Sequence, residues 1–329
     1  MGAACSSAPK KPTPFTAPTP TESASPAPQV FGPPEAYGPA PNPNPAPAEA
    51  YGPSPVQYKP AVLVLGPGLA RGFAIAGILR ALHDNKIPIG AIVSTEMGSL
   101  MGALYVSTTT FNEFEFGLAR FKPEMFFHTS GLLSDVFAGR ANGEELGATL
   151  RQVLGEKQIR GTSILLKIAV HPVEKPSYLL LDTGPLVPAV RAALGDPVIL
   201  KPSRWEKLFA ESAVRFRPYP IAEARELAKK LGDGPVIVVD TLGSPATSAA
   251  ETSKVERQVR LEMAQAQKQS RGELAGADLI IRPDLHDIGY LDFDKRTDAI
   301  FRGRSAAVAQ MEKIRRLVGL PPAEGSTQP

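Results

Sequence analysis

Hydrophobic residues between positions 61 and 105 form short continuous runs and helically spaced sets, and small residues mark the junctions between them. The run 61–65 predicts a buried strand, and the apolar residues that follow Gly72 recur at helical spacing. A second apolar run, 89–93, is followed by another small-residue segment of helical character. The pattern therefore predicts a strand, a glycine-rich turn at 66–72, a helix, a second strand, a sharp turn and a second helix.

The same alternation continues along the chain. Segment 111–121 is predicted to be a helix with Phe111, Phe114, Leu118 and Phe121 on one face, a spacing typical of a core-facing helix. Strands that alternate with helices predict an α/β fold with a mostly parallel sheet and helices on both faces. In such folds the functional loops lie at the carboxyl ends of the strands. The further elements predicted from the pattern are a helix at 143–154 and strands at 163–171 and 177–181.

The second turn, 94–98, reads Ser-Thr-Glu-Met-Gly and lies between a strand end and a helix start. A turn of this kind holds one side chain at its tip, which is the arrangement of a nucleophile elbow. The residue at the tip is Glu96.

The glycine-rich turn, the Arg-Gly pair at Arg71 and Gly72, the elbow and the following Gly-Ala-Leu-Tyr resemble the opening of the patatin-like phospholipases, of the bacterial lipoprotein type. The resemblance implies a patatin-like α/β fold and an acyl hydrolase with a Gly-x-Ser-x-Gly elbow, a serine nucleophile and a later aspartate as base. It extends over residues 61–319. Later segments that resemble the family in order are a helix within 183–197, a helix at 218–227, strands at 235–240 and 277–284, and a closing helix at 297–319.

The chain departs from this pattern at Glu96, which stands where the family has its serine. An ionised carboxylate is a poor nucleophile toward an ester, and its charge would repel a developing oxyanion. Glu96 also precedes a helix, where the dipole favours a negative charge. A helix-capping role is therefore one interpretation of Glu96.

The aspartate that the resemblance implies is also missing, because residues 209–220 contain none. Glu211 is the nearest counterpart and is either a retained site residue or a surface glutamate. If Glu96 and Glu211 face each other, the two carboxylates would suit a cation or acid–base work with one raised pKa.

The oxyanion loop that the resemblance implies corresponds to Gly66, Pro67, Gly68, Arg71 and Gly72. Pro67 has no amide hydrogen to donate, and loss of one such donor lowers rates by about 10²- to 10³-fold. Three altered parts of one mechanism predict a pseudoenzyme that binds a lipid, a fatty acyl ligand or a protein partner without hydrolysing esters. The alternative is an active hydrolase with an altered site built on Glu96 and Glu211.

Composition divides the chain into unequal parts. Half of the 34 prolines lie in the first 60 residues, so that segment cannot form a packed core. We predict a Pro-rich tether at 1–59, a patatin-like domain at 60–320 and a tail at 321–329. The net charge of +3 and the absence of a basic, aromatic-rich stripe argue against nucleic-acid binding.

The single cysteine, Cys5, follows small residues and precedes the tether. This arrangement resembles a bacterial lipoprotein cleavage site, with Cys5 as the lipidated residue. Met-Gly-x-x-x-Ser also fits myristoylation at Gly2 with palmitoylation at Cys5, and a free thiol is the third reading. The first reading predicts a protein anchored to a membrane of the bacterial cell envelope. A purely structural envelope protein, whose long tether is its functional feature, is a further hypothesis.

No cofactor is predicted. The four histidines lack a His-x-x-x-His spacing, and the glycine-rich turn fits neither a dinucleotide loop nor a Walker loop. The segment at Asp284, His286 and Asp287 has ligand-type side chains, but a solvated loop explains it better than a metal site.

Overall fold

The computed structural model describes residues 58–126, 141–172, 177–196, 199–201, 203–205, 208–210, 219–243 and 254–322. These residues belong to one compact unit, Pro53–Pro329. Cys5, Glu211, almost all of the predicted tether and most of the predicted tail lie outside the described residues.

Strands and helices alternate through most of this unit. The strands are β1 (Ala61–Leu65), β2 (Ile89–Thr95), β3 (Leu165–Val170), β4 (Leu179–Leu181), β5 (Ser203–Trp205), β6 (Leu208–Ala210), β7 (Val236–Val239) and β8 (Leu279–Ile281). The helices are α1 (Ala74–Asp84), α2 (Met97–Ser107), α3 (Phe111–Ala119), α4 (Glu144–Leu154), α5 (Leu186–Ala193), α6 (Ile221–Lys230), α7 (Lys254–Leu274), α8 (Arg296–Val308) and α9 (Met311–Leu317).

Six strands form one sheet in the order β4-β3-β2-β1-β7-β8. Every neighbouring pair is parallel except β3 and β4, which are antiparallel. β5 and β6 form a separate antiparallel pair. The predicted mostly parallel sheet is therefore confirmed, and β1 lies in its interior between β2 and β7.

Alternate residues of β1 pack into two different cores. Leu63 and Leu65 join the larger core with residues of α1, α2 and α8. Val62 and Val64 join a smaller core with Ala224 of α6. Because successive strand side chains point to opposite faces, helices cover both faces of the sheet, as predicted.

The predicted helix at 111–121 is confirmed as α3. The four residues of the predicted stripe are buried, and the last of them follows the end of α3: Phe111, Phe114, Leu118 and Phe121. The Thr110 side chain caps the helix by accepting a hydrogen bond from the amide of Glu113. The stripe therefore belongs to the core.

The closing helix differs from the prediction because it is divided into α8 and α9. At the break, the side chain of Gln310 donates to the carbonyl of Ile280 in β8 at 3.3 Å. The long helix α7 was not predicted, since its sequence is polar and weakly patterned.

Helices α1 and α8 pack through glycines. A Cβ at Gly77 would lie 1.8 Å from the carbonyl oxygen of Ile300, and a Cβ at Gly303 would lie 1.9 Å from that of Ala74. The two backbones therefore approach as closely as they do only because neither glycine has a side chain. This contact supports the helix that follows the glycine-rich turn.

Candidate functional site

The elbow is formed by one residue between β2 and α2. Glu96 has φ 48° and ψ −120°, a conformation that L-residues rarely adopt. Non-glycine residues in such strained conformations concentrate at functional sites. The backbone therefore has the sharp strand-to-helix turn that the sequence predicted.

Glycines let the elbow sit close to neighbouring elements. A Cβ at Gly98 would lie 2.3 Å from the carbonyl oxygen of Leu65, at the end of β1. A Cβ at Gly72 would lie 2.4 Å from Cγ of Met97. The start of α2 is thus packed against both β1 and the glycine-rich turn.

The Glu96 side chain turns toward the glycine-rich turn. Its Oε2 accepts a hydrogen bond from the amide of Gly68 at 2.8 Å, and its Oε1 accepts one from the amide of Leu69 at 3.0 Å. Tyr290 Oη donates to Oε1 at 3.2 Å. Glu96 is only 2% exposed, so the carboxylate is enclosed by these donors. Its side chain makes no capping hydrogen bond to α2, so a capping role would be electrostatic, through the helix dipole.

The two amide donors depend on an unusual backbone. Gly68 has φ 155° and Leu69 has φ 41°. A Cβ at Gly68 would lie 2.8 Å from Oγ1 of Thr241, and that hydroxyl donates to the carbonyl of Pro67. The carbonyl of Pro67 therefore accepts a hydrogen bond that stabilises the loop. The amides of Gly68 and Leu69, which follow Pro67, donate to Glu96. Leu69 was not among the residues selected from the sequence.

Tyr290 supports the site in two ways. Its hydroxyl contacts Glu96, and its carbonyl accepts a hydrogen bond from the amide of Ala70 at 3.1 Å. Its side chain is 4% exposed. No motif marks Tyr290 in the sequence, because it follows β8 and meets the elbow only through the fold.

Arg71 ties the glycine-rich turn to two later loops. Its Nε donates to the carbonyl of Thr241 at 2.9 Å, and its Nη1 donates to the carbonyl of Ile288 at 3.2 Å. Burial lowers the pKa of Arg71 to about 10, although Asp240 and other anionic groups partly offset this effect. Arg71 remains charged at neutral pH and holds the loop in place.

Asp240, directly after β7, is the centre of a buried network. It accepts hydrogen bonds from Tyr219 Oη at 2.7 Å, from the amide of Leu242 at 3.1 Å and from Arg282 Nε at 2.8 Å. Burial, and then the charge of Asp240, raises the pKa of Tyr219 well above 10. A Cβ at Gly66 would lie 2.3 Å from the Tyr219 ring, so the ring packs directly against the glycine-rich turn.

Hydroxyls near the elbow are buried. Ser94 Oγ donates to the carbonyl of Lys167 at 3.1 Å. Thr95 Oγ1 and Ser99 Oγ are enclosed without a hydrogen-bond partner. None of these three side chains is exposed, and none occupies the tip of the elbow.

The loop at Asp284, His286 and Asp287 forms ion pairs. His286 Nδ1 lies 2.9 Å from Asp284 Oδ1, and Arg302 contacts both oxygens of Asp287. Across the residues that the structure describes, no three His, Cys, Asp or Glu side chains are grouped so as to hold a metal ion. None of the described helices has the length and hydropathy needed to cross a bilayer.

Three curated proteins and one solved structure are similar to parts of this chain. The chain is 52% identical over 46 residues to patatin-like phospholipase domain-containing protein ZK370.4 of Caenorhabditis elegans, which covers 14% of this chain and 3% of that protein. It is 29% identical over 99 residues to patatin-like phospholipase domain-containing protein 7 of Rattus norvegicus, covering 30% of this chain and 7% of that protein. It is 24% identical over 192 residues to the putative patatin-like phospholipase domain-containing protein M110.7 of Caenorhabditis elegans, covering 54% of this chain and 16% of that protein. The crystal structure of VipD from Legionella pneumophila superimposes with a TM-score of 0.48 at 10% identity, covering 78% of this chain and 67% of that one.

The chain thus matches only a small part of the length of these three curated relatives. The family described as patatin-like phospholipase matches residues 63–225, which include the glycine-rich turn and the elbow. On this match, the chain belongs to the patatin-like phospholipase family.

Proposed function

We propose that this domain does not hydrolyse esters and that Glu96 occupies the position in which the family's reaction would need an oxyanion. The observation that carries the proposal is the pair of hydrogen bonds from the amides of Gly68 and Leu69 to the Glu96 carboxylate. Donors at 2.7–3.1 Å from the oxyanion are the geometry of an oxyanion hole. Here both donors already have an acceptor, the carboxyl group of Glu96.

Two physical consequences support this proposal. A substrate carbonyl would have to displace a carboxylate that is 2% exposed and held by three donors. Even after displacement, attack by Glu96 on an ester would have to expel an alkoxide and leave a mixed anhydride, which makes a carboxylate a poor nucleophile.

The alternative hydrolase would use Glu96 and Glu211 as acid–base residues. The enclosed position of Glu96 argues against that role, because this residue is 2% exposed and its carboxyl group is bound by the amides of Gly68 and Leu69, so it is not open to substrate. Glu211 lies outside the described residues.

The role that remains is binding. We propose that the domain acts at a bacterial membrane surface, held by a lipid on Cys5, and binds a lipid, a fatty acyl chain or a protein partner. The support is the lipoprotein-like sequence around Cys5 and the Pro-rich segment between it and the domain.

The test of the first proposal is turnover of p-nitrophenyl butyrate and of a phospholipid by the native chain, Glu96→Gln, Glu96→Ser and the exposed-site control Glu145→Gln. We expect all four to match the protein-free blank, since Glu96→Ser still lacks the aspartate that the family uses. Turnover by the native chain that Glu96→Gln abolishes, and Glu145→Gln preserves, would contradict the proposal and support the altered hydrolase.

The test of the second proposal is the distribution of the native chain and Cys5→Ser between the membrane and soluble fractions of a bacterial host. We expect the native chain in the membrane fraction and the variant in the soluble fraction. Equal membrane association of both proteins would exclude a Cys5 anchor.

A further inference from the structure

A cavity of about 340 Å³ lies between α4 and α5 and is lined by none of the elbow or glycine-rich-turn residues. Its size is within the range of small-molecule sites. One part of its lining is basic and another is apolar. The basic residues are Arg151, Lys157 and Arg191, and the apolar residues are Pro185, Val187 and Pro188.

The charge of this lining is unbalanced. Among the described residues that line the cavity, three are basic and one, Glu156, is acidic. Arg151 and Lys157 are exposed, and Lys157 Nζ donates to the carbonyl of Ser107. The net positive potential of a concave site attracts anions.

Arg191 is the buried member of the basic set, at 8% exposure. Its Nε donates to the carbonyl of Gly143 at 3.3 Å, and its Nη2 donates to the carbonyls of Asn142 and Lys201, both at 3.1 Å. All of these partners are neutral, and no described carboxylate forms an ion pair with Arg191. Burial lowers the pKa of Arg191 to about 10, so the guanidinium is charged at neutral pH.

One nitrogen of the Arg191 guanidinium has no hydrogen-bond partner. Nη1 of Arg191 is buried and has no acceptor in the structure. The hydroxyl of Ser203, which also lines the cavity, is likewise buried without a hydrogen-bond partner. Buried polar groups normally have hydrogen-bond partners, and a buried charge without an anionic partner is unfavourable. Two orphaned polar groups beside an unbalanced basic lining indicate an anionic ligand.

We propose that the cavity between α4 and α5 binds an organic anion with a phosphate or carboxylate head and a short apolar tail. The head would lie against Arg151, Lys157 and Arg191, whose guanidinium and ammonium groups suit such oxyanions. The tail would lie against Pro185, Val187 and Pro188. This site is separate from Glu96, so it stands whether or not the domain hydrolyses esters.

The test is isothermal titration of the full chain with three probes: octyl phosphate, inorganic phosphate and octanol. The site variant is Arg151→Gln with Lys157→Gln, because both side chains are exposed and their loss leaves the core intact. The matched control is Lys313→Gln with Arg316→Gln on α9, which removes the same charge from another exposed surface. Thermal melting of each protein verifies that it is folded.

We expect octyl phosphate to bind the native chain and the control equally, and the site variant at least tenfold more weakly. Inorganic phosphate and octanol should each bind at least tenfold more weakly than octyl phosphate. The proposal is wrong if the site variant binds octyl phosphate as the native chain does, or if the control loses as much affinity. It is also wrong if octanol or inorganic phosphate alone equals octyl phosphate.

Discussion

At the scale of the residue, the three donors around Glu96 predict the result of removing the carboxylate. In Glu96→Ala, the amides of Gly68 and Leu69 and the hydroxyl of Tyr290 lose a buried acceptor. A buried donor without a partner costs about 1–3 kcal/mol. We expect the free energy of unfolding to fall by about 3 kcal/mol or more in total, measured by urea denaturation at pH 7.

Tyr290→Phe is the matched smaller change, because it removes one of the three donors and keeps the acceptor. We expect it to lower the free energy of unfolding by about 1 kcal/mol. The opposite outcome for Glu96→Ala is informative. Strained functional residues are often held at the expense of stability, so a variant more stable than the native chain would favour a working Glu96.

The sequence predicted the elbow but not the direction of its side chain. Small residues around Glu96 mark a sharp turn, whereas the position of the carboxylate depends on φ at Gly68 and Leu69 and on Tyr290, which is 194 residues away. Pro67 has no amide hydrogen, and the amides of Gly68 and Leu69 that follow it donate to Glu96. Such long-range contacts leave no periodic signal in one sequence.

At the scale of the element, the packing of α1 against α8 predicts a strong effect of a single methyl group. Gly303→Ala would place Cβ against the carbonyl of Ala74, so the helices must move apart. Overpacking of this kind costs about 1–3 kcal/mol. We expect a loss at the upper end of that range, measured by denaturant unfolding.

The control for this substitution is Gly272→Ala in α7, where a Cβ would meet nothing within 4 Å. Alanine is a better helix former than glycine by about 0.8–1.0 kcal/mol, so this variant should be more stable than the native chain. If Gly303→Ala were also stabilising, the close contact between α1 and α8 would be disproved.

Asp278, directly before β8, accepts hydrogen bonds from Arg225 of α6 and from the amide of Val236 in β7, and it makes the free energy of unfolding depend on pH. Partial burial works to raise the pKa of Asp278, but hydrogen bonds from Arg225 and from the amide of Val236 outweigh it, and the pKa lies below its usual value of 3.8. Because the folded pKa is depressed, the stabilisation is fully present above 3.8 and is lost as pH falls through the lower folded value.

Asp278→Asn should therefore lower the free energy of unfolding at pH 7 by about 1 kcal/mol, discounted for the exposure of the pair. The difference from the native chain should shrink below pH 3.8. The exposed Asp294→Asn serves as control and should leave stability unchanged. A difference that is the same at pH 7 and pH 3 would contradict the assignment.

The elements themselves followed from the sequence where apolar residues are regularly spaced. β1, α1, β2 and α3 were predicted with ends within a few residues, because each buries a full face or stripe. The polar helix α7 was missed since few of its positions carry that signal. Gln310, which lies between α8 and α9, contacts β8, and the spacing of apolar residues does not reveal such a contact.

At the scale of the whole molecule, the described residues begin with contacts to later parts of the fold. The amide of Lys59 donates to the carbonyl of Val318 at 3.0 Å, and Pro60 lies against Gly90 and Gly234. We expect a chain that begins at Tyr58 to melt within about 2 °C of the full chain in calorimetry. A chain that begins at Val62 loses these contacts and should melt several degrees lower; equal melting of the two shortened chains would contradict this expectation.

The Glu96 side chain accepts hydrogen bonds from the amides of Gly68 and Leu69 and belongs to the same chain. It therefore competes with any added ligand for these two amides. A tethered group acts at an effective concentration on the order of millimolar or more, so an added carbonyl compound has to outcompete it. Fluorophosphonate reagents for activity-based profiling also need an activated serine, and the tip of this elbow is Glu96. We expect surveys with such reagents to pass over this chain and any relative with the same exchange, so that they undercount the patatin folds in a cell.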